Sequence, residues 1–204
     1  MTSTDPASAP AGYAGDPGLP FTGRVIGALR AAGWRDRDPG RSPRRVDCAN
    51  AADSPDGTVR VYASYGPGAL TEVLIRHARP GADVTAWPLW EATVTEAPAA
   101  VAIAAALGAP LGRPGPDGGH DAPDAADELR QEDWEVREIH AGTTLTEVRF
   151  RSPDGDREAV LRPGHGRFTQ PDWLVTGGLT GATVWIAAFT PGTPDRLILA
   201  LAHG

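Results

Sequence analysis

Ser54-Pro55-Asp56-Gly57 recurs as Ser152-Pro153-Asp154-Gly155, and the pair organises the reading of the whole chain. Each tetrapeptide is a tight-turn sequence. Proline presets φ at the first central position, aspartate suits the second, and glycine takes the left-handed exit. Upstream, Leu29-Arg30-Ala31-Ala32-Gly33-Trp34 recurs as Leu129-Arg130-Gln131-Glu132-Asp133-Trp134. Downstream, Trp90 with a strand-like run ending at Thr95 recurs as Trp185 with a run ending at Thr190. The three landmarks keep their order while their offset falls from 100 to 98 to 95 residues. A period of that size far exceeds the roughly 20–50 residues of a solenoid repeat and fits a duplicated small domain.

Working outward from the turns gives one plan twice. Residues 1–19, rich in Ala, Gly, Pro, Ser and Thr, have little to bury and are expected to form a disordered leader. The first unit, 20–112, opens with a helix over Gly23 to Ala32 that places Val25, Ile26 and Leu29 on one face. Strands follow at Val46–Ala51, Thr58–Ser64, Leu70–His77 and Val84–Thr95. A helix between Pro98 and Gly108 closes the unit. Pro88, inside the last strand run, predicts an edge position or a bulge. After a Pro/Gly linker at 113–122, the second unit, 123–204, has a helix over Pro123 to Trp134. Its strands fall at Thr143–Arg151, Glu158–Arg162, Trp173–Thr176 and Thr183–Thr190. Thr193 caps its closing helix, with Pro194 in the first position and Asp195 beside the positive end of the dipole. The expected fold class is α+β. It is a tandem duplication in which each unit is a four-stranded antiparallel meander between a preceding and a closing helix. The closing helices are expected on one face, with the units related by a pseudo-twofold. Fusion of the two sheets into one is compatible with that plan.

Composition narrows the function classes. The net charge is −7, which repels a polyanion unless basic residues are segregated. They are segregated. Seven Arg and two acids lie between Arg24 and Arg45, whereas nine acids and two Arg lie between Asp117 and Glu138, at the corresponding place in the second unit. Three readings are open: both segments are ordinary solvated faces, the two attract each other within or between molecules, or the basic segment binds phosphate, chiefly through Arg41, Arg44 and Arg45. Lysine is absent, as high-GC codon usage favours, so no G-x-x-x-x-G-K phosphate loop exists. One cysteine, Cys48, excludes an internal disulfide and makes a cytoplasmic location the expectation. Residues 1–20 have neither the basic nor the apolar region of a signal peptide. The longest apolar run, Ala99 to Leu107, falls far short of the roughly 20 residues of a membrane span, so no membrane partner is expected.

The twin Ser-Pro-Asp-Gly turns, the Trp that opens each last strand and the Ala/Leu-rich closing helix resemble the SPDY, or DUF317, domain of high-GC filamentous bacteria. The resemblance covers residues 50–108 and 148–203 and implies two tandem copies. Gly57 and Gly155 stand where the motif of that domain has a Tyr-type residue, which suits a turn better than recognition. The domain has no established function. The resemblance supplies no catalytic residue and, through members encoded near plasmid-transfer genes, implies an association with DNA.

The chemistry-bearing side chains form no catalytic set. Ser54 and Ser152 lack the G-x-S-x-G elbow and are expected to cap their own turns. Cys48 has only His77 as a local base, and a buried small hydrophobe is its ordinary role. His120 with Asp121 and Asp124 matches no zinc or calcium spacing, so neither a metal nor a cofactor is expected. Trp34, Trp134, Trp90 and Trp185 occupy matched positions and read as core. Trp87 and Trp173 are unmatched and read as candidates for a binding surface. The expectation is a non-catalytic binding protein meeting a protein partner or itself. Its alternative is a DNA-associated protein of plasmid transfer or mobile elements that uses the 24–45 segment. The alternative predicts binding of labelled DNA, followed by fluorescence anisotropy, that weakens steeply with salt and is lost in the Arg41/Arg44/Arg45→Ala variant. Absence of binding at low salt removes it.

Overall fold

The computed structural model describes residues 20–37, 48–65, 70–77, 88–108, 124–163, 172–181 and 184–203. The expected leader at 1–19 and linker at 113–122 lie outside them. Among the described residues, four helices and ten strands run α1 (Phe21–Ala31), β1 (Arg35–Arg37), β2 (Cys48–Asp53), β3 (Val59–Tyr65), β4 (Thr71–His77), β5 (Glu91–Thr95) and α2 (Ala99–Gly108). The series continues with α3 (Ala125–Gln131), β6 (Glu135–Ala141), β7 (Thr144–Arg151), β8 (Glu158–Leu161), β9 (Trp173–Gly177), β10 (Trp185–Phe189) and α4 (Asp195–His203). All ten strands join one antiparallel sheet in the order β1-β2-β3-β4-β5-β10-β9-β8-β7-β6. Each half is a meander, and β5 pairs with β10 at the centre.

The period-2 pattern decides which side of the sheet is covered. Val59, Val61 and Ala63 of β3, Val73 and Ile75 of β4, and Trp173 and Val175 of β9 join the main core. So do Trp185, Ala187 and Phe189 of β10. All four helices pack on that side in the lateral order α1, α2, α4, α3. Position in this layer explains helix composition. α2 is apolar almost all round because it has α1 on one flank, α4 on the other and the sheet beneath. α3, at the end of the row, buries only Ala125, Ala126 and Leu129. Trp34 and Trp134 are buried just beyond the ends of α1 and α3. Side chains of the other parity face away from the helices, where Ala51, Tyr62 and Leu74 form a small separate cluster.

Two expectations need correction. Each half has five strands, not four, because the edge strands β1 and β6 carry little strand signal. β1 is only Arg-Asp-Arg. In β6, Val136 and Ile139 are three residues apart, a helix-like spacing, and the register shifts at Ile139/His140. An edge strand exposed on both sides has no face that must alternate. Pro88, secondly, precedes β5 and is not inside it. β5 is central, paired with β4 and β10, and the missing donor of proline is kept out of its ladder.

Gly177 of β9 lies directly beneath the Trp185 indole. A Cβ at this position would lie 2.3 Å from ring atoms of a buried side chain that has nowhere to move. Gly177→Ala is expected to cost about 1–3 kcal/mol by overpacking. The check is chemical denaturation, read as a lowered midpoint with an unchanged slope.

Candidate functional site

The twin turns are built alike down to individual hydrogen bonds. Gly57 N–H donates to the Ser54 carbonyl at 2.8 Å, and Gly155 N–H to the Ser152 carbonyl at 2.9 Å. Both glycines have φ of 71°. Each serine hydroxyl donates to the aspartate two residues on, Ser54 to Asp56 and Ser152 to Asp154, both at 2.6 Å. It also accepts from the amide that leads into the return strand, Val59 or Arg157, both at 2.9 Å. Pro55 and Pro153 sit exposed at the tips. Both serines are thus committed to turn construction. Asp56 is desolvated, which alone would raise it. Hydrogen bonds from the Ser54 hydroxyl and from the Thr58 amide and hydroxyl outweigh that and hold its carboxyl below the usual value. The Ser152 hydroxyl, with the Asp156 amide, lowers Asp154. Asp156 is lowered in turn by the Thr180 hydroxyl and amide, which fastens this turn to the loop after β9.

The first half adds a feature at the same end of the sheet. His77, the last residue of β4, lies with its ring 5.8 Å from that of Trp90 and tilted by 43°. Its Nδ1 and the Trp90 Nε1 are buried without a hydrogen-bond partner. Burial pushes the imidazole below its ordinary value, opposed by the nearby Asp56 charge. In the second half the corresponding space holds Gly177 and Trp185.

On the side away from the helices, charged side chains form a series of ion pairs. Asp53 takes Arg37 at 2.7 Å and Arg60 at 3.2 Å, and Arg76 meets Glu91 at 3.0 Å, so paired charges cross β1 to β5. Glu147 holds Arg149 and Arg162, and Arg149 also reaches Glu158. Asp53 and Arg60, directly opposite in register, have Arg151 and Glu158 as counterparts, with the signs exchanged. Sequence reasoning missed this network. Its only trace is a charged residue at alternate strand positions, and the partner is set by register, which one strand does not reveal.

Of the sequence-derived candidates, Arg41, Arg44, Arg45 and Trp87 lie outside the described residues. Trp173 is a correction. It is 7% exposed, packs in the main core and stacks on Phe150 at 5.8 Å. The parity of β9 turns Trp173, Val175 and Gly177 toward the helices, so an aromatic without a sequence counterpart here fills a core site. The structure also places part of the charged segments. The described part of the basic one, on α1 and β1, lies at one edge of the sheet, and the acidic one, on α3 and β6, at the other. Nine interstrand steps of about 4.8 Å separate the edges, well beyond a Debye length. The described parts of these segments do not dock on each other within one molecule. Within the basic segment, Arg30 pairs with Asp36 and Arg37 with Asp53.

Residues 151–203, from the end of β7 through α4, match the SPDY domain, a domain of unknown function (DUF317). The match covers one stretch, where the resemblance implied two. No curated protein and no solved structure matches the chain. The SPDY stretch contains the second Ser-Pro-Asp-Gly turn, Trp173, Trp185 and the closing helix. Among the described residues, no helix is long and apolar enough to cross a membrane.

These environments give the chain two acid-sensitive windows. His77 has a depressed value when folded, so the unfolded chain takes the proton first and stability falls as pH drops below about 6.5. Asp56, Asp154 and Asp156 are also depressed. Their stabilisation is complete above their unfolded value of about 3.9 and is lost as pH falls through the lower folded values. His77→Leu is expected to flatten the stability profile between pH 7 and pH 5, values set by the ordinary histidine range, and to leave the loss below pH 4 in place. Thermal unfolding across that range checks both windows.

Proposed function

We propose that the chain is a non-catalytic interaction protein that associates with a protein partner, another copy of itself included, through the oppositely charged ends of one continuous sheet. The observation that carries this reading is the placement of charge. Arg24, Arg30, Arg35 and Arg37 with Asp36 gather at the β1 edge. Asp124, Asp127, Glu128, Glu132, Asp133, Glu135 and Glu138 with Arg130 and Arg137 gather at the β6 edge. β6 is a seven-residue edge strand exposed along most of its length, and its outer backbone groups form the kind of row on which another chain can pair. A basic end and an acidic end attract head to tail. Ion pairing of Arg37, Arg60, Arg76, Arg149 and Arg162 on the face away from the helices argues against a phosphate-binding platform there. The DNA-associated reading therefore rests on Arg41, Arg44 and Arg45.

We also infer that the halves are two copies of one unit. Element order repeats, the two turns share their hydrogen bonds, and Asp133, with φ of 60°, takes the left-handed exit that Gly33 provides after α1. The offset of 95 that links Trp90 to Trp185 also links Thr93 to Ala188, and those two are direct partners across β5–β10. Equivalent residues facing each other mark a local twofold axis.

Sedimentation velocity over a concentration series, at low and at physiological salt, tests the association. Salt-sensitive self-association is expected. Arg35→Glu alone and Glu135→Arg/Glu138→Arg alone are each expected to abolish it, and mixing the two variants to restore it. A chain that is monomeric at every concentration and salt, with no change on mixing, overturns self-association as the mode of interaction.

A further inference from the structure

We propose that Glu128, Glu132 and His203 form a binding site for a first-row transition-metal dication of the zinc class. The residues come from two helices distant in sequence. Glu128 lies in α3, Glu132 caps its C-terminal end one turn later, and His203 is the last residue of α4. One ligand atom from each, two carboxylate oxygens and an imidazole nitrogen, lie within 4.8 Å of one another. His203 Nε2 is already 3.1 Å from Glu132 Oε2. Donors about 2.1 Å from a tetrahedral ion lie about 3.4 Å from one another. The widest pair therefore needs to close by up to about 1.4 Å, within the rotamer freedom of side chains at the surface.

Four further observations point the same way. Glu128 and Glu132 are four residues apart on one helix face, where two like charges repel unless a cation lies between them. The fold does not impose the pair, because Ala28 and Ala32 stand at the corresponding positions of α1. The last turns of α3 and α4 meet here, and the carbonyl ends of both helix dipoles favour positive charge. Trp134 meets the His203 ring edge-on, with centroids 6.2 Å apart and planes at 86°, and limits the orientation of the imidazole. An imidazole with two carboxylates suits zinc, cobalt, nickel or copper. It does not suit calcium, which takes six to eight oxygens. With three protein ligands, a fourth position falls to water or to a donor from a partner. A bound ion would tie α3, the outermost helix of the row, to α4.

The test uses the full chain with zinc and cobalt salts. Isothermal titration calorimetry is expected to give one tight equivalent of zinc, and cobalt is expected to develop the visible absorption of a low-coordinate site. The thermal midpoint should rise with metal concentration, as it does for any ligand of the folded state. His203→Ala and Glu128→Gln/Glu132→Gln are each expected to weaken binding at least tenfold. Both changes are at exposed or half-exposed positions, and circular dichroism verifies their folding. In the wild-type chain, the His203 ring resonances are the histidine signals expected to move with zinc. Stoichiometric binding that shifts another histidine and not His203 overturns the site, as does unchanged affinity in the variants. Zinc affinity weaker than millimolar overturns it equally.

Discussion

The structure depends on the pairing of β5 with β10. Four residue pairs, from Thr95 opposite Ile186 to Ala92 opposite Phe189, turn two meanders into one sheet. Thr190 reinforces the seam just beyond the paired residues. Its hydroxyl accepts from the Glu91 amide at 2.7 Å, and its own amide donates to the Glu91 carbonyl at 2.9 Å. Separated at this line, each half would carry a central strand as a raw edge. α2 and α4, neighbours across the same line, would each lose an apolar flank. Hydrogen bonding in the sheet and helix packing above it fail or hold together at this seam, so the two layers are expected to behave as one cooperative unit.

Continuity of the sheet has a second consequence. Because the strand order runs from β1 to β6, α1–β1 and α3–β6 become the two ends of the sheet. Opposite charge on equivalent segments then becomes polarity along the molecule. Two compact, separate domains with the same sequences would place those charges wherever their linker allowed. Here the ladder fixes them at opposite edges, out of range of each other and available to other chains. The face without helices is different in kind. Its charges are answered locally by Asp53 with Arg37 and Arg60, by Arg76 with Glu91, and by Glu147 with Arg149 and Arg162. Polarity along the sheet and the ion pairs on its open face follow from one topology.

Much of this was legible in the residues. The Ser-Pro-Asp-Gly turns announced themselves because proline, aspartate and glycine each answer a different local requirement at consecutive positions. The apolar alternation of Val59, Val61 and Ala63 marked a half-buried strand, and the four matched tryptophans marked the core. Those signals are local, decided by φ preferences and by which side of a strand meets water. β1 and β6 were illegible because an edge strand answers to neither rule. Trp173 misled because the lack of a sequence counterpart says nothing of the direction in which a strand turns a side chain. That direction follows from the parity of its neighbours.

By itself, then, the sequence determined the α+β class, the positions of the turns and most of the core. All of these are set by interactions among residues close in sequence or by period-2 and period-3.6 burial. Tertiary structure alone decided that the two meanders would share one sheet, that the charged segments would lie at its opposite ends, and that His203 would meet Glu128 and Glu132. Those outcomes depend on strand register and helix order. They bring together residues far apart along the chain, and no spacing within the sequence encodes that distance.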